Sequence, residues 1–161
     1  MATPALADAI RIEVGTSEDL DPVMEIMDRA FGTAFGEAWT RSQLAGILPM
    51  AGVALMIAWD SSSSEATGFS LFRTVADESE LLLIAVRPNH HRQGIGRRLL
   101  DHFMDQARRC GVARVHLEVR DGNPAVKMYR EAGFAPVGRR RNYYHAPDGE
   151  RFDAVTLAYN L

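Results

Sequence analysis

Two side chains in the second half of the chain could exchange protons with a substrate, and a glycine-containing loop before them could bind phosphate. Glu118 can accept a proton and Tyr129 can donate one. The loop contains Gly94 and Gly96, with Arg92 and Arg97 beside them. Phosphate binding followed by proton exchange is the chemistry that these residue types and their order in the chain indicate.

The glycine loop lies between an apolar strand and an amphipathic helix. Residues 80–86 form a nearly continuous apolar run, which is typical of a central strand. After the loop, Leu99, Leu100 and Phe103 begin an apolar helical stripe. The first backbone N–H groups of a helix lack internal partners and the helix dipole favours anions, so this junction can bind pyrophosphate. A lone Gly-x-Gly more often only shapes a turn, but its spacing here fits neither a P-loop nor a dinucleotide fingerprint.

Glu118 and Tyr129 each have a structural explanation as well as a functional one. Glu118 lies on the strand face opposite Leu117 and Val119, where it could be a solvated glutamate on an edge strand. Tyr129 lies on the next helix and could be a half-buried core aromatic residue. Their occurrence together, downstream of the loop, favours the functional interpretation.

The loop resembles the acetyl-coenzyme A motif of the GNAT superfamily of N-acetyltransferases. That motif is Gln/Arg-x-x-Gly-x-Gly/Ala, and here it begins at His91. The resemblance implies an α/β fold: a mixed, mostly antiparallel sheet with a central splayed parallel pair, flanked by helices. It also implies acetyl-CoA as co-substrate, bound by Ile84, Ala85 and Val86 on the strand and by Arg92, Gln93, Gly94, Ile95, Gly96 and Arg97 on the loop and helix.

Later segments are similar to the RimI group of N-terminal protein acetyltransferases. They are Leu117-Glu118-Val119-Arg120, Asn123, Tyr129, Gly133-Phe134 and Arg140-Arg141-Asn142-Tyr143-Tyr144. The resemblance implies that Glu118 is the general base, that Tyr129 is the general acid and that Asn123 contacts the cofactor. The interval to Tyr129 is one residue shorter than in that group, so either Asn123 or Gly122 fills its Asn position. Trp39, Arg141, Tyr143 and Tyr144 are the candidate substrate-binding residues.

The same resemblance implies direct acetyl transfer to the N-terminal α-amino group, expected to be alanine, of a ribosomal protein. Two alternatives stay open at this point. One is a GNAT acetyltransferase that acts on a small-molecule amine, and the other is a non-catalytic module that binds acyl-CoA or the ribosome. The presence of both Glu118 and Tyr129 argues against the non-catalytic module.

Composition limits the class of protein. The chain has 161 residues, 47% of them hydrophobic, and a net charge of −3, which argues against a membrane surface or sequence-specific nucleic acid as partner. A single cysteine, Cys110, and the lack of a secretory signal predict the cytoplasm. The five histidines lack metal-ligand spacing, so no metal is expected. We expect a monomer or weak dimer.

Hydrophobic periodicity predicts the order β-α-α-β-β-β-α-β-α-β-β in one domain over residues 10–161, after a loose tail over residues 1–9. Thr16 or Ser17 should open the first helix, and Thr40 with Gln43 should form a capping box at the second. Residues 134–137 and 154–159 are predicted to be the last two strands.

Overall fold

The computed structural model describes residues 9–161, so most of the tail predicted over residues 1–9 lies outside the described residues. Elements within the described range follow the predicted order. The strands are β1 (Ile10–Val14), β2 (Val53–Asp60), β3 (Ala66–Val75), β4 (Glu78–Val86), β5 (Arg114–Arg120), β6 (Ala135–His145) and β7 (Arg151–Asn160). The α-helices are α1 (Leu20–Phe31), α2 (Arg41–Ile47), α3 (Ile95–Arg109) and α4 (Ala125–Glu131). Among residues 9–161, no helix is long and apolar enough to cross a membrane.

The strands form one sheet in the order β1-β2-β3-β4-β5-β7-β6. Neighbouring strands are antiparallel except for β4 and β5, which pair in parallel only from Glu78 with Arg114 to Leu81 with Leu117. Beyond this register β4 continues to pair with β3, and β5 continues to pair with β7. The carboxyl halves of the parallel pair therefore diverge, which confirms the predicted splayed pair and the fold class.

Helices pack on both faces of the sheet. On one face, α1 and α2 cover a core that includes Phe69 and Leu71 of β3. On the other, α3 and α4 cover a core that includes Leu117 of β5 and Phe103 of α3. Since successive side chains of a strand point to opposite faces, Glu118 points to the face of α1 and α2.

Capping boxes lie just before the first α-helix and at the start of the second. Gln43 N donates to Thr40 Oγ1 over 3.1 Å and Thr40 N donates to Gln43 Oε1 over 2.8 Å, which confirms the predicted box at α2. Thr16 forms the same box with Asp19, but this box opens a 3-10 turn over Ser17–Asp19. The first α-helix therefore starts at Leu20, three residues later than Ser17.

Strand β6 is longer than the sequence pattern predicts. The prediction ended this strand at Val137, whereas the strand runs to His145. Its cationic residues look like a loop in the sequence, yet in the fold they reach acidic partners: Arg139 contacts Asp121 and Asp153 over 2.8 and 3.0 Å. Because β6 is an edge strand whose residues are mostly exposed, polar side chains are compatible with it and the apolar periodicity is lost.

Candidate active site

The glycine loop leads into an open helix N-terminus. Gly94 precedes α3 with φ of 75°, a conformation that favours glycine, and a Cβ at this position would have no atom within 4 Å. Arg98 N donates to Gly94 O over 3.0 Å, so the amides of Ile95, Gly96 and Arg97 precede the first helical hydrogen bond. These amides can donate to an anion, and their predicted role in binding pyrophosphate stays a prediction.

Two side chains hold the start of this loop in place. Arg87 is 5% exposed and donates to Ala66 O over 2.6 Å, and its guanidinium also lies 3.1 Å from Glu25 and 3.4 Å from Glu65. His91, the residue at the first position of the motif, uses its ring N–H to donate to the backbone carbonyl of Val86 over 3.0 Å. The contact of Arg87 joins the loop to β3, and the contact of His91 joins it to the end of β4.

The divergence of β4 from β5 exposes the backbone of β4 along which an acetyl donor would be aligned. Ile84, Ala85 and Val86 pair with β3 on one side, and no strand within residues 9–161 pairs with them on the side toward β5. An extended chain that contains amides can bind such a strand edge through main-chain hydrogen bonds. This edge and the amides of α3 are the groups to which the sequence assigns the pantetheine arm and pyrophosphate of coenzyme A, and that assignment stays a prediction.

Glu118 lies on an interior strand of the sheet. Strand β5 is between β4 and β7, so the alternative that Glu118 is a solvated glutamate on an edge strand is wrong. The side chain is 14% exposed, and its Oε1 lies 2.7 Å from Arg140 Nε. Tyr143 is beside it: burial raises the pKa of Tyr143, and the Glu118 carboxylate raises that pKa further. A carboxylate in this position can accept a proton from an amine.

Tyr129 is buried between α4 and the sheet. It is 5% exposed and its ring meets Phe134 edge to face at 6.1 Å. Burial raises the pKa of Tyr129 well above its ordinary value, and Tyr144 and Glu37 raise it further. Burial also raises the pKa of Tyr144, and the Glu37 carboxylate raises that pKa further. Tyr129 is therefore protonated at neutral pH, as an ordinary phenol also is, and burial makes it a weaker acid than an exposed tyrosine.

A buried ion pair beside these phenols was missed by the sequence prediction. Arg120 Nε donates to Glu37 Oε1 over 2.8 Å, and the two side chains are 9% and 10% exposed. Asn123 Nδ2 donates to Glu37 Oε2 over 2.7 Å. The Arg120 guanidinium also lies 3.6 Å from the centroid of the Phe35 ring. Glu37 thereby joins the α1–α2 loop to β5 and to the start of α4.

The sequence contains only half of the signal for this pair. An arginine at the end of an alternating, half-buried strand needs a carboxylate partner if its head is buried, and Arg120 has that position. Its partner lies 83 residues earlier, in a loop without periodicity. No local pattern could have selected Glu37 from the other acidic residues of the chain.

The remaining predicted residues have different environments. Asn123 uses its Oδ1 to accept from Ala125 N over 2.9 Å, so its side chain contacts α4 as well as Glu37. Trp39 is partly buried against the core under α1 and α2. Arg141 is exposed, Tyr143 is 47% exposed, and the rings of Tyr143 and Tyr144 are edge to face at 5.0 Å. Their roles in binding remain predictions.

Histidine, cysteine and acidic side chains are the groups that could ligate a metal ion. Residues 9–161 contain no group of three or more His, Cys, Asp or Glu side chains placed to hold a metal ion. Two of the five histidines lie near single carboxylates. The ring of His90 is 3.7 Å from Glu65, and the ring of His116 is 3.8 Å from Glu80.

Comparisons with known proteins agree on one family. The model of the acetyltransferase (GNAT) family matches residues 20–134. The ribosomal protein bS18-alanine N-acetyltransferase of Escherichia coli (strain K12) is 41% identical over 99 residues, which are 61% of this chain and 66% of that protein. The N-alpha-acetyltransferase RimI of Mycobacterium tuberculosis is 45% identical over 83 residues, 51% of each chain. These alignments span less than two thirds of the relatives' lengths.

A solved structure extends the similarity to nearly the whole chain. The crystal structure of the ribosomal-protein-S18-alanine N-acetyltransferase from Escherichia coli superposes with a TM-score of 0.83 at 32% identity. The superposition covers 94% of this chain and 93% of that one.

Proposed function

Since the chain belongs to the acetyltransferase (GNAT) family, we propose that it transfers an acetyl group from acetyl-CoA to the N-terminal α-amino group of a ribosomal protein, with alanine as the acceptor residue. The observation that carries this proposal is the position of Glu118. It is a largely buried carboxylate on β5, an interior strand of the sheet, just past the point where β4 and β5 diverge, with tyrosines of β6 beside it.

The choice of acceptor is supported by similarity. Ribosomal protein bS18-alanine N-acetyltransferases are 41% identical over the aligned part, and a solved ribosomal-protein-S18-alanine N-acetyltransferase superposes over 94% of this chain. A small-molecule amine as acceptor is an outcome of the test below.

Binding of the donor involves backbone more than side chains. Acetyl-CoA supplies the acetyl group and a thiol leaving group. The amides at the start of α3 would bind its pyrophosphate, and Arg92 and Arg97 would add positive charge. The open edge of Ile84, Ala85 and Val86 would hold the pantetheine arm in line with the gap between the strands.

Glu118 would make the acceptor amine nucleophilic. A protein α-amino group has a pKa of about 8, so most of it is protonated at neutral pH. The carboxylate accepts its proton, either directly or through one water, and leaves the nitrogen lone pair free for attack. A lysine side chain titrates about two units higher and would need a stronger base.

Tyr129 would act at the other end of the reaction. The leaving thiolate needs a proton, and a phenol, whose ordinary pKa is about 10, carries one at neutral pH. Burial raises the pKa of Tyr129 and so makes it a weaker acid, which means that the proton would have to move as the thiolate develops. Glu37 contributes to that raised pKa and also binds Asn123 at the start of the helix that carries Tyr129. The chain's own residues thus supply both an acceptor and a donor of protons.

The cellular setting is part of the same proposal. We place the enzyme in the cytoplasm, as a monomer or weak dimer, with a peptide N-terminus rather than a membrane or a specific nucleic acid sequence as its partner. The net charge of −3 supports this choice of partner.

Acceptor competition would test the proposal. The protein is incubated with acetyl-CoA and an Ala-initiated ribosomal peptide, the same peptide with a blocked N-terminus, a polyamine or an aminoglycoside, and acetylation is followed by mass spectrometry. We expect acetylation of the free peptide N-terminus alone. Transfer only to the polyamine or aminoglycoside would replace the proposed acceptor with a small-molecule amine, and binding of acetyl-CoA without any transfer would favour a non-catalytic module.

A further inference from the structure

The proposed base is already paired with a cation of the protein itself. Arg140 Nε lies 2.7 Å from Glu118 Oε1, and the guanidinium carbon lies 5.5 Å from the centroid of the Tyr143 ring. A protein N-terminus brings an ammonium ion to the same carboxylate. The two cations would therefore compete for Glu118.

The sheet register explains how Arg140 reaches this carboxylate from two strands away. Glu118 pairs with Thr156 of β7, and Thr156 pairs in turn with Gly138 of β6. Gly138 adds no side chain to this row, so room remains for the long side chain of Arg140, which pairs with Ala154 two residues further along the same face.

The two arginine–glutamate pairs of the site differ in how easily they can open. Arg120 is 9% exposed and its partner Glu37 is 10% exposed, so removing either partner would leave a buried charge unpaired. Arg140 is 62% exposed while Glu118 is 14% exposed. If Arg140 moves away, its guanidinium enters water at little cost, whereas Glu118 needs another cation in its place.

We infer that Arg140 is an exchangeable counter-ion of Glu118, which occupies the base in the free enzyme and is displaced by the ammonium group of the acceptor. This inference rests on the proposed function, because it assumes that Glu118 is the base and that the acceptor is a cationic amine. Arg140 then contributes to selectivity among acceptors, because an acceptor must bind Glu118 more strongly than the guanidinium of Arg140, which is always present beside it. A blocked N-terminus cannot make this exchange.

Binding of a peptide to the enzyme saturated with coenzyme A tests the exchange without any turnover. The probes are an Ala-initiated pentapeptide amide with a free N-terminus and the same peptide with an acetylated N-terminus, titrated by calorimetry at pH 7 and low salt. Arg140→Gln should bind the free-amine peptide about two- to fivefold more tightly than wild type, the scale of a partly exposed ion pair. Affinity for the acetylated peptide should not change.

Two further variants separate the contact from the loss of charge. Arg151→Gln removes the same charge from an exposed position of the same hairpin and should not change either affinity. In a Glu118→Gln background, Arg140→Gln should no longer tighten binding, because the shared carboxylate is absent.

The outcomes distinguish the inference from the function on which it rests. If wild type binds and acetylates the free-amine peptide, but Arg140→Gln binds it equally or more weakly, the exchange is overturned and the proposed function stands. An equal gain from Arg151→Gln, or a gain that persists without Glu118, also overturns the exchange. If wild type neither binds nor acetylates the peptide, the proposed acceptor fails and the inference fails with it.

Discussion

The Glu37–Arg120 pair gives a prediction about stability that can be worked out from its contacts. Glu37→Leu removes the carboxylate that accepts from Arg120 over 2.8 Å and from Asn123 over 2.7 Å. The guanidinium of Arg120 is then left about nine-tenths buried without a counter-ion. Breaking a buried pair from one side typically costs about 3–5 kcal/mol, whereas replacing both partners by apolar groups is often nearly neutral.

The expected magnitude is near the lower end of that range. Arg120 keeps its stacking on Phe35 and its hydrogen bond to the carbonyl of Asp121, which partly compensates for the lost carboxylate. We expect Glu37→Leu to lower the free energy of unfolding by about 3 kcal/mol, or Tm by roughly 6–12 °C for a chain of this length. The double variant Glu37→Leu/Arg120→Met should recover at least about half of that loss.

Urea unfolding followed by circular dichroism measures these differences. Asp21→Asn is the matched control, because it breaks the pair with Arg41 in which the side chains are 84% and 54% exposed, and exposed pairs contribute only about 0–1 kcal/mol. A free energy of unfolding for Glu37→Leu within about 0.5 kcal/mol of wild type would show that the Glu37–Arg120 pair does not stabilise the fold as expected, and so would a double variant no more stable than the single one.

Two further predictions concern the donor site and the phenol. Gly94→Asp puts a negative charge and a strained residue at φ of 75° where the α3 amides would bind phosphate. Calorimetry should therefore show a loss of coenzyme A affinity, while the circular dichroism spectrum stays unchanged. Unchanged affinity would contradict the assignment of this loop. Tyr129→Phe should lower kcat by about 100-fold or more at neutral pH, measured with the peptide assay, and a wild-type kcat would leave Tyr129 without a role in proton transfer. The pKa of Tyr129 in the folded state is raised above its ordinary value of 10.0. The protonated phenol therefore contributes its full stability below about pH 10, and this contribution is lost as the pH rises further. Tyr129→Phe should reduce this alkaline loss in the free energy of unfolding, by up to about 1.4 kcal/mol per pH unit. Equal alkaline slopes for the variant and wild type would contradict this sign.

Much of the architecture could be predicted because its signals are local. The apolar run of β4, the alternation in β5 and the glycine loop between β4 and α3 each fix an element within a few residues. Their order, together with the resemblance to GNAT enzymes, then predicted the splayed parallel pair. The family match over residues 20–134 confirms that resemblance.

What could not be predicted depends on contacts between distant segments. Burial of Glu118 follows from the position of β5 between β4 and β7, which is a property of strand order and not of the sequence around Glu118. Glu37 enters the site only because its loop closes on Arg120 and Asn123. The extent of β6 was missed because an edge strand with polar partners lacks the apolar alternation by which strands are recognised.

Glu118→Gln with its pH dependence is the most direct test of the central claim. The variant keeps the size of the side chain but cannot accept a proton, so it should bind acetyl-CoA normally and lose most transfer to an Ala-initiated peptide at pH 7, by about 100-fold or more. Raising the pH toward 9 should partly restore the rate, because the α-amino group, with a pKa of about 8, is then already neutral. Glu80→Gln, which removes another carboxylate near Tyr143, should leave the rate unchanged. A Glu118→Gln enzyme with the wild-type rate at pH 7 would show that the base lies elsewhere and would contradict the account.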